Sequence, residues 1–262
     1  MKLKYYKVDS FTNEIFKGNP ACVVPLREWL EDEILLKIAQ ENAVSETAFF
    51  VKNNNEFHLR WFTPEIEIDL CGHATLATAH VLKTCLSYNQ DVIFFKTKSG
   101  NLKVKITNDF YFMDFPSREA VPSSLPEEIK LSLNIKPIEV YKSRDYLLIY
   151  DNQLDVENIS IDRNYFDKIN LGYGGVIVSS IGDLTDFVSR FFTPQASILE
   201  DPVTGSAHCS LIPYWSSKLK KDTMNAVQLS KRGGYIKCQN QNDRVIIGGK
   251  AILFSHGQIY LP

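Results

Sequence analysis

Arg60-Trp61-Phe62-Thr63-Pro64 and Arg190-Phe191-Phe192-Thr193-Pro194 agree at four of five positions and begin 130 residues apart, close to half of the 262-residue chain. Each pentapeptide closes an apolar, strand-like run on Thr-Pro, which ends a strand. Each then leads through a short polar stretch into a glycine turn and an apolar, helix-like segment. The first is Leu70-Cys71-Gly72-His73-Ala74-Thr75-Leu76-Ala77. The second is Glu200-Asp201-Pro202-Val203-Thr204-Gly205-Ser206-Ala207-His208-Cys209. A near-repeat at half-length, followed by the same turn and helix, reads as an internal duplication. The other reading is two unrelated strand-turn-helix units that happen to share Thr-Pro. If the duplication is real, the two helix starts are expected to face each other across a pseudo-twofold axis.

Working outward, hydrophobic periodicity predicts an α/β or α+β chain. Strands are expected at 4–8, 21–24, 47–52, 57–62, 92–97, 102–107 and 110–115 in the first half. An amphipathic helix is expected from Pro25 to Asn42, with Leu30, Ile34, Leu35 and Ile38 on one face. The segment from Gly72 to Leu86 carries no charge until Lys83, so it predicts a helix buried on all sides. The second half is expected to begin near Pro116, with a Pro-containing linker and a short helix around Glu127-Glu128. Strands follow at 138–141, 145–150, 175–179 and 186–192, with a helix over 163–168. A second buried helix is expected from Thr204 to Leu219, kinked or broken at Pro213, which lacks a backbone donor. Short strands end the chain, the last at 258–261 after a turn at Ser255-His256-Gly257.

Composition narrows the function. Twenty-nine Lys and Arg against 31 Asp and Glu give a formal charge of −2, so no electrostatic signal points to nucleic acid or an acidic membrane. The N-terminal MKLKYYKVDSF has no apolar signal-peptide core, and no run approaches the ~18 apolar residues of a membrane span. Five widely spaced cysteines, an odd number without a CxxC pair, predict reduced thiols in a cytoplasm over a disulfide framework. The five histidines show no metal-binding spacing.

Three clusters carry groups capable of chemistry. Glu46, in Ser45-Glu46-Thr47-Ala48-Phe49, stands at the mouth of an apolar strand. Apolar neighbours raise a carboxyl pKa and suit it to general acid or base work; a glutamate at a strand entrance also commonly just faces water. In Asp69-Leu70-Cys71-Gly72-His73, Gly72 lets a ligand approach the backbone. The helix start there offers free N–H groups to an anion. His73 beside it is either a proton shuttle or a packed N-terminal residue. Cys71 is either a thiol activated by the helix start or a small buried hydrophobe. In the third cluster Asp201 is either a helix cap or a contact to a polar ligand group, and His208, one turn in, is read as structural. Tyr173, Phe11 and Trp61 are expected as pocket walls.

Five segments make the chain resemble the PhzF family of phenazine-biosynthesis-like proteins: VDSFTNEIFKGNPACVV (8–24), SETAFF (45–50), RWFTPEIEIDLCGHATLA (60–77), RFFTPQASILEDPVTGSAHC (190–209) and SKRGGYIKC (230–238). The resemblance implies the α+β diaminopimelate epimerase-like fold, with two pseudo-symmetric halves, each a barrel-like sheet around a central helix. The halves are expected at 1–115 plus the tail 256–262, and at 116–255. It also implies a cofactor-independent isomerase that moves a proton on a small carboxylate-bearing metabolite in the cleft between the halves. By motif, Glu46 takes the place of the proton-moving glutamate, His73 of the assisting histidine and Asp201 of the acidic partner. Gly72, Thr204, Gly205 and Ser206 are expected to hold the substrate. No cofactor, metal, nucleic acid or membrane is expected, and homodimers are usual in the family. Related racemases place one cysteine at each helix start. Here Cys71 stands at the first, and its counterpart at the ungapped 130-residue offset is Asp201, which disfavours a two-thiol reaction. A racemase using Cys71 and a non-catalytic metabolite-binding protein remain the alternatives.

Overall fold

The computed structural model describes Met1 to Leu261. The chain forms two compact units. One holds Met1–Asp114 and the C-terminal residues from Ile247; the other holds Phe115–Ile246. The strands are β1 (Lys2–Ser10), β2 (Asn19–Leu26), β3 (Glu46–Asn53), β4 (Glu56–Phe62), β5 (Glu67–Ile68), β6 (Val92–Thr97), β7 (Gly100–Thr107), β8 (Phe110–Pro116), β9 (Val121–Pro122), β10 (Glu139–Lys142), β11 (Tyr146–Ile149), β12 (Val176–Ile181), β13 (Phe187–Phe192), β14 (Thr223–Gln228), β15 (Gly234–Gln241), β16 (Arg244–Gly249) and β17 (Ala251–Tyr260). The helices are α1 (Asp32–Asn42), α2 (Gly72–Thr84), α3 (Glu127–Ser132), α4 (Gln153–Glu157), α5 (Arg163–Phe166) and α6 (His208–Leu219), the last preceded by a 3₁₀ turn at Gly205–Ala207.

In the first unit β1 and β2 pair antiparallel, β2 and β3 parallel, β3 and β4 antiparallel, β4 and β6 parallel, and β6 and β7 antiparallel. In the second unit β10, β11, β12, β13, β14 and β15 pair in the same alternation. A parallel join needs a crossover. The β4-to-β6 crossover carries α2, and the β13-to-β14 crossover carries α6. The two near-identical pentapeptides therefore end topologically equivalent strands, β4 and β13, each directly before the buried helix of its unit.

Helix α2 buries ten of its thirteen residues, including Ala74, Leu76, Ala77, Val81 and Leu82, and packs on β1, β2, β3 and β17. Its small apolar residues let strands approach on several sides. Helix α6 buries His208, Cys209, Leu211, Ile212 and Trp215. It continues without a break through Pro213 to Leu219, where a kink or a break was expected. The carbonyl that Pro213 leaves without a helical partner, that of Cys209, accepts the Arg118 backbone N–H at 2.9 Å. A donor from outside the helix satisfies the group that would otherwise be buried unpaired.

Among the boundaries that differ from expectation are those of α1 and of the C-terminal strand. Helix α1 begins at Asp32, not Pro25, because Pro25 lies within β2, in register with Phe50 of β3, and the strand runs on to Leu26. Asp32 and Glu33 occupy its first turn, where negative charge is favoured. The C-terminal strand runs from Ala251 to Tyr260 and not from Gln258, pairing with nine residues of β1. Gly257, read as a turn residue, lies within β17; a Cβ there would come 2.8 Å from the Tyr5 ring. The glycine makes room for that side chain. No helix among the described residues is long and apolar enough to cross a membrane.

Candidate active site

Helix α1 ends at Ala43 in the left-handed conformation, and the turn places Glu46 as the first residue of β3, opposite Ala21 of β2. Cys71, in extended backbone, is the N-terminal boundary residue of α2, and no side chain caps the helix. The first amides of α2 are therefore left to a ligand or solvent. His73 lies in the first turn. Its Nε2 stands 3.0 Å from Glu46 Oε2, with the His73 side chain 4% exposed and that of Glu46 16%. The contact is close but off the hydrogen-bond direction, so neither buried atom has a hydrogen-bond partner in the protein.

The other ring nitrogen faces Cys71 and Asn19, and Ser10 holds the His73 backbone; of these the sequence reading singled out only Cys71. Asn19 Nδ2 lies 3.2 Å from His73 Nδ1, the Cys71 sulfur lies 3.5 Å from the same nitrogen, and Ser10 Oγ donates to the His73 carbonyl at 2.8 Å. Asn19 is placed by Gly18, which has φ +65°; a Cβ there would lie 2.1 Å from the Ser10 carbonyl oxygen. Only glycine fits. With Asn19 in this orientation, Nδ1 accepts and the imidazole proton sits on Nε2, facing Glu46.

The electrostatics agree with that arrangement. Burial alone pulls an imidazole down, but Cys71 and Glu46 act against it and the net direction for His73 is well up. The Cys71 thiol is pushed up to about 11, by burial first and by Glu46 second. At neutral pH it is therefore uncharged, and the Glu46 carboxylate is what retains a proton on His73. Taking a second proton on Nδ1 would require the Asn19 amide to turn its oxygen inward. Glu46, Cys71 and His73 each bring one donor atom within 4.8 Å of the other two, a cluster that residue spacing along the chain does not reveal.

In the second unit, Asp201, Thr204, Gly205 and Ser206 come together at the start of the helical segment. Asp201 Oδ2 accepts the Thr204 hydroxyl at 2.5 Å. Arg144 donates to Ser206 Oγ at 3.0 Å while its guanidinium is paired with the fully buried Asp145. Gln228 accepts the Thr204 N–H at 2.8 Å and donates to the Asp201 carbonyl at 2.7 Å. Neither Arg144 nor Gln228 carried a local sequence signal, since each arrives from a distant strand or loop. His208 is fully buried and holds the Thr204 carbonyl at 2.9 Å. Burial lowers it to about 4, despite the opposing effect of that carbonyl, so it is a neutral, structural histidine. Phe11 and Trp61 are core side chains and Tyr173 is exposed, so the first two are not free-standing pocket walls.

The helix starts also correct one correspondence. Cys71 and Thr204 are the boundary residues before the glycines that open the two helical segments. Aligned on those glycines, the counterpart of Cys71 is Thr204, and that of His73 is Ser206. The ungapped match to Asp201 fails because the loop after β13 is three residues longer, with nine positions from Phe62 to Cys71 against twelve from Phe192 to Thr204. The second start still carries no thiol.

With this geometry in hand, the sequence was compared with known proteins. The family model for phenazine biosynthesis-like proteins, PhzC-PhzF, matches residues 8–257. The chain belongs to the PhzC-PhzF family. A Pseudomonas aeruginosa protein named as an uncharacterized isomerase is 44% identical over the full length of both chains. The crystal structure of a PhzF-family protein from Enterococcus faecalis superposes with a TM-score of 0.95 at 46% identity, covering all of both chains. A hydroxyproline epimerase from Agrobacterium vitis shares the fold, with a TM-score of 0.65 at 9% identity, over 98% of this chain and 92% of that one. The PhzC-PhzF chain thus has the α+β epimerase-like fold.

Proposed function

We propose that this PhzC-PhzF chain is an isomerase that needs no cofactor and moves a proton between carbons of a small, carboxylate-bearing metabolite. Glu46 is the group that takes the proton and returns it. The observation that carries this reading is the 3.0 Å approach of His73 Nε2 to Glu46 Oε2 beside the uncapped start of α2. A 1,3-shift of hydrogen is redox-neutral and transfers no group, so one positioned carboxylate suffices for it. The anion-receptive amides at Gly72 hold the substrate carboxylate, and the positive helix end favours the charge that builds up as the C–H bond breaks. His73 packs its Nε2 edge 3.0 Å from Glu46 Oε2 and positions the carboxylate by that contact. Asp201, Thr204, Gly205 and Ser206 are assigned to substrate recognition in the same proposal. Five free cysteines among the described residues fit a reducing, cytoplasmic setting.

The isomerase name of the Pseudomonas aeruginosa relative supports the reaction class. The decisive test follows solvent deuterium into a panel of small unsaturated carboxylates by NMR. Glu46→Gln is expected to keep its fold and lose exchange by about 10²–10⁴-fold. Exchange unaffected by Glu46→Gln but abolished by Cys71→Ser would replace this reading with a thiol-based racemase.

A further inference from the structure

The two hydroxyls at the start of the helical segment leading into α6 are held in opposite senses. Thr204 Oγ1 donates to Asp201 Oδ2 at 2.5 Å and accepts from Gln228 Nε2 at 3.3 Å, so both of its roles are met within the protein. Ser206 Oγ faces Arg144 Nη2 at 3.0 Å. A guanidinium carries donors and no acceptor, so the Ser206 oxygen accepts there and its own proton points elsewhere. That proton finds no acceptor among the described residues. We propose that Arg144 is a positioning residue of the substrate site: clamped by Asp145, it covers the acceptor side of the Ser206 hydroxyl and fixes that group as a hydrogen-bond donor to a negatively charged oxygen of the substrate. This role rests on the reading of Ser206 as a substrate contact.

The arginine is itself tightly placed. It sits in the turn between β10 and β11. Its Nη2 donates to Asp145 Oδ2 at 2.9 Å, and its Nε is 3.2 Å from each Asp145 oxygen. Asp145 is fully buried, and its Oδ1 also accepts the Gly175 N–H at 2.9 Å. The carboxylate is thus tied to the backbone just before β12. The guanidinium cannot swing away without leaving a buried charge unpaired. The same turn grips the helical segment again, one turn beyond Ser206, where Ser143 Oγ and Ser210 Oγ lie 2.8 Å apart. A hydrogen bond accepted from a cation polarises the Ser206 O–H and strengthens it as a donor. The field nearby also favours negative charge. Burial pushes the Cys209 thiol up to about 11, yet Arg118, Arg144 and Arg244 all pull it down, and Asp145 alone among the listed charges adds to the rise.

Binding is measured by ligand-observed NMR on the full chain, with the same panel of small unsaturated carboxylates used for deuterium exchange. Ser206→Ala is expected to weaken binding about 10-fold, the worth of one charge-assisted hydrogen bond. Arg144→Gln combined with Asp145→Asn removes both charges together and orphans neither, and is expected to weaken binding by a similar about 10-fold. Added to Ser206→Ala, the same pair is expected to cost no more than about a further twofold, because its effect passes through the hydroxyl. Arg144→Lys keeps the counter-charge of Asp145 but not the fork that reaches two partners; it is expected to lose about threefold alone and nothing in the Ser206→Ala background. That variant keeps the test decisive if the neutral pair does not fold. A purely structural role gives the same loss in both backgrounds. Such additive losses, undiminished binding in the Arg144 variants, or undiminished binding in Ser206→Ala overturn the proposal. The two readings fail separately. Exchange unaffected by Glu46→Gln removes the proton-transfer reading and leaves the binding cycle intact. Additive binding losses, with exchange still dependent on Glu46, remove only the role of Arg144.

Discussion

The start of α2 and the start of the helical segment leading into α6 occupy equivalent places in their units, yet one is built around a histidine–glutamate pair and the other around hydroxyl and amide hydrogen bonds braced by the Arg144–Asp145 ion pair. At the first, Glu46 faces His73 at 3.0 Å and draws the ring toward its protonated form. At the second, Ser206 stands at the position equivalent to His73, and the nearby His208 is driven to its neutral form at about 4. Its Nδ1 side holds the Thr204 carbonyl, and its Nε2 is buried without a partner. A second proton would sit on that nitrogen with nothing to accept it. The strands below the two starts have the same pairing pattern, and both preceding loops carry the same brace. Arg60 makes two hydrogen bonds to Glu67 at 2.8 Å and lies over Phe62. Arg190 makes two to Glu200 at 2.7 and 3.0 Å and lies over Phe192. The scaffold repeats in the two units while the mouths differ. The scaffold is fixed by packing, while the mouths are constrained mainly by chemistry.

This contrast is open to breaking in several ways. Glu46→Gln is the largest expected effect, the 100-fold or greater loss of exchange given above, whereas Asp201→Asn in the second mouth is expected to weaken substrate binding more than the proton-transfer step. A result in which Asp201→Asn matches Glu46→Gln in single-turnover exchange would erase the assigned asymmetry.

The next effect is on stability against pH. His208 has a folded pKa of about 4, below the unfolded value of about 6.5. The folded state therefore binds fewer protons between these values, and stability falls as pH drops through that window. The stabilisation is present above about pH 6.5 and its loss reaches about 3 kcal/mol near pH 4. Denaturant unfolding of wild type and His208→Gln at pH 7 and pH 4 checks it: the variant is expected to lose less stability on acidification. Equal losses in the two proteins would contradict the buried neutral assignment.

The braces sharpen the comparison at a smaller scale. Arg60→Ala and Arg190→Ala are each expected to destabilise by about 2 kcal/mol, since each removes two charge-assisted hydrogen bonds from a partly buried carboxylate; Glu200 then loses its cation, while Glu67 keeps Lys98. Unfolding free energies from urea titration that differ by more than about 1 kcal/mol would show that the two scaffolds are not energetically equivalent. Smallest of all, Cys71→Ser is expected to change deuterium exchange by less than about threefold, because the thiol is uncharged at neutral pH and is not the proton-moving group.

How much of this was legible in the sequence differs from residue to residue. The repeat located both mouths, and an uncharged stretch from Gly72 marked α2 as buried, because an all-round apolar helix is stable only inside a fold. Helix α6 was found for the same reason, but its passage through Pro213 was not, since the donor that satisfies the Cys209 carbonyl comes from Arg118, ninety-one positions earlier. The strand containing Gly257 was missed because local glycine and serine chemistry signals a turn, and only the long pairing with β1 overrides it.

The same division holds for the site. Local sequence determined the residue types at each helix start, the glycines that open them and the duplicated frame that presents them, because these follow from short-range backbone and burial rules. The juxtaposition of Glu46 with His73 and Cys71, the contact of Asn19 with the His73 ring and of Ser10 with the His73 carbonyl, and the braces of Arg144 and Gln228 on the second mouth were decided only by tertiary structure. Those contacts join residues far apart in the chain, and their distances are set by strand register and helix packing, which no local window contains.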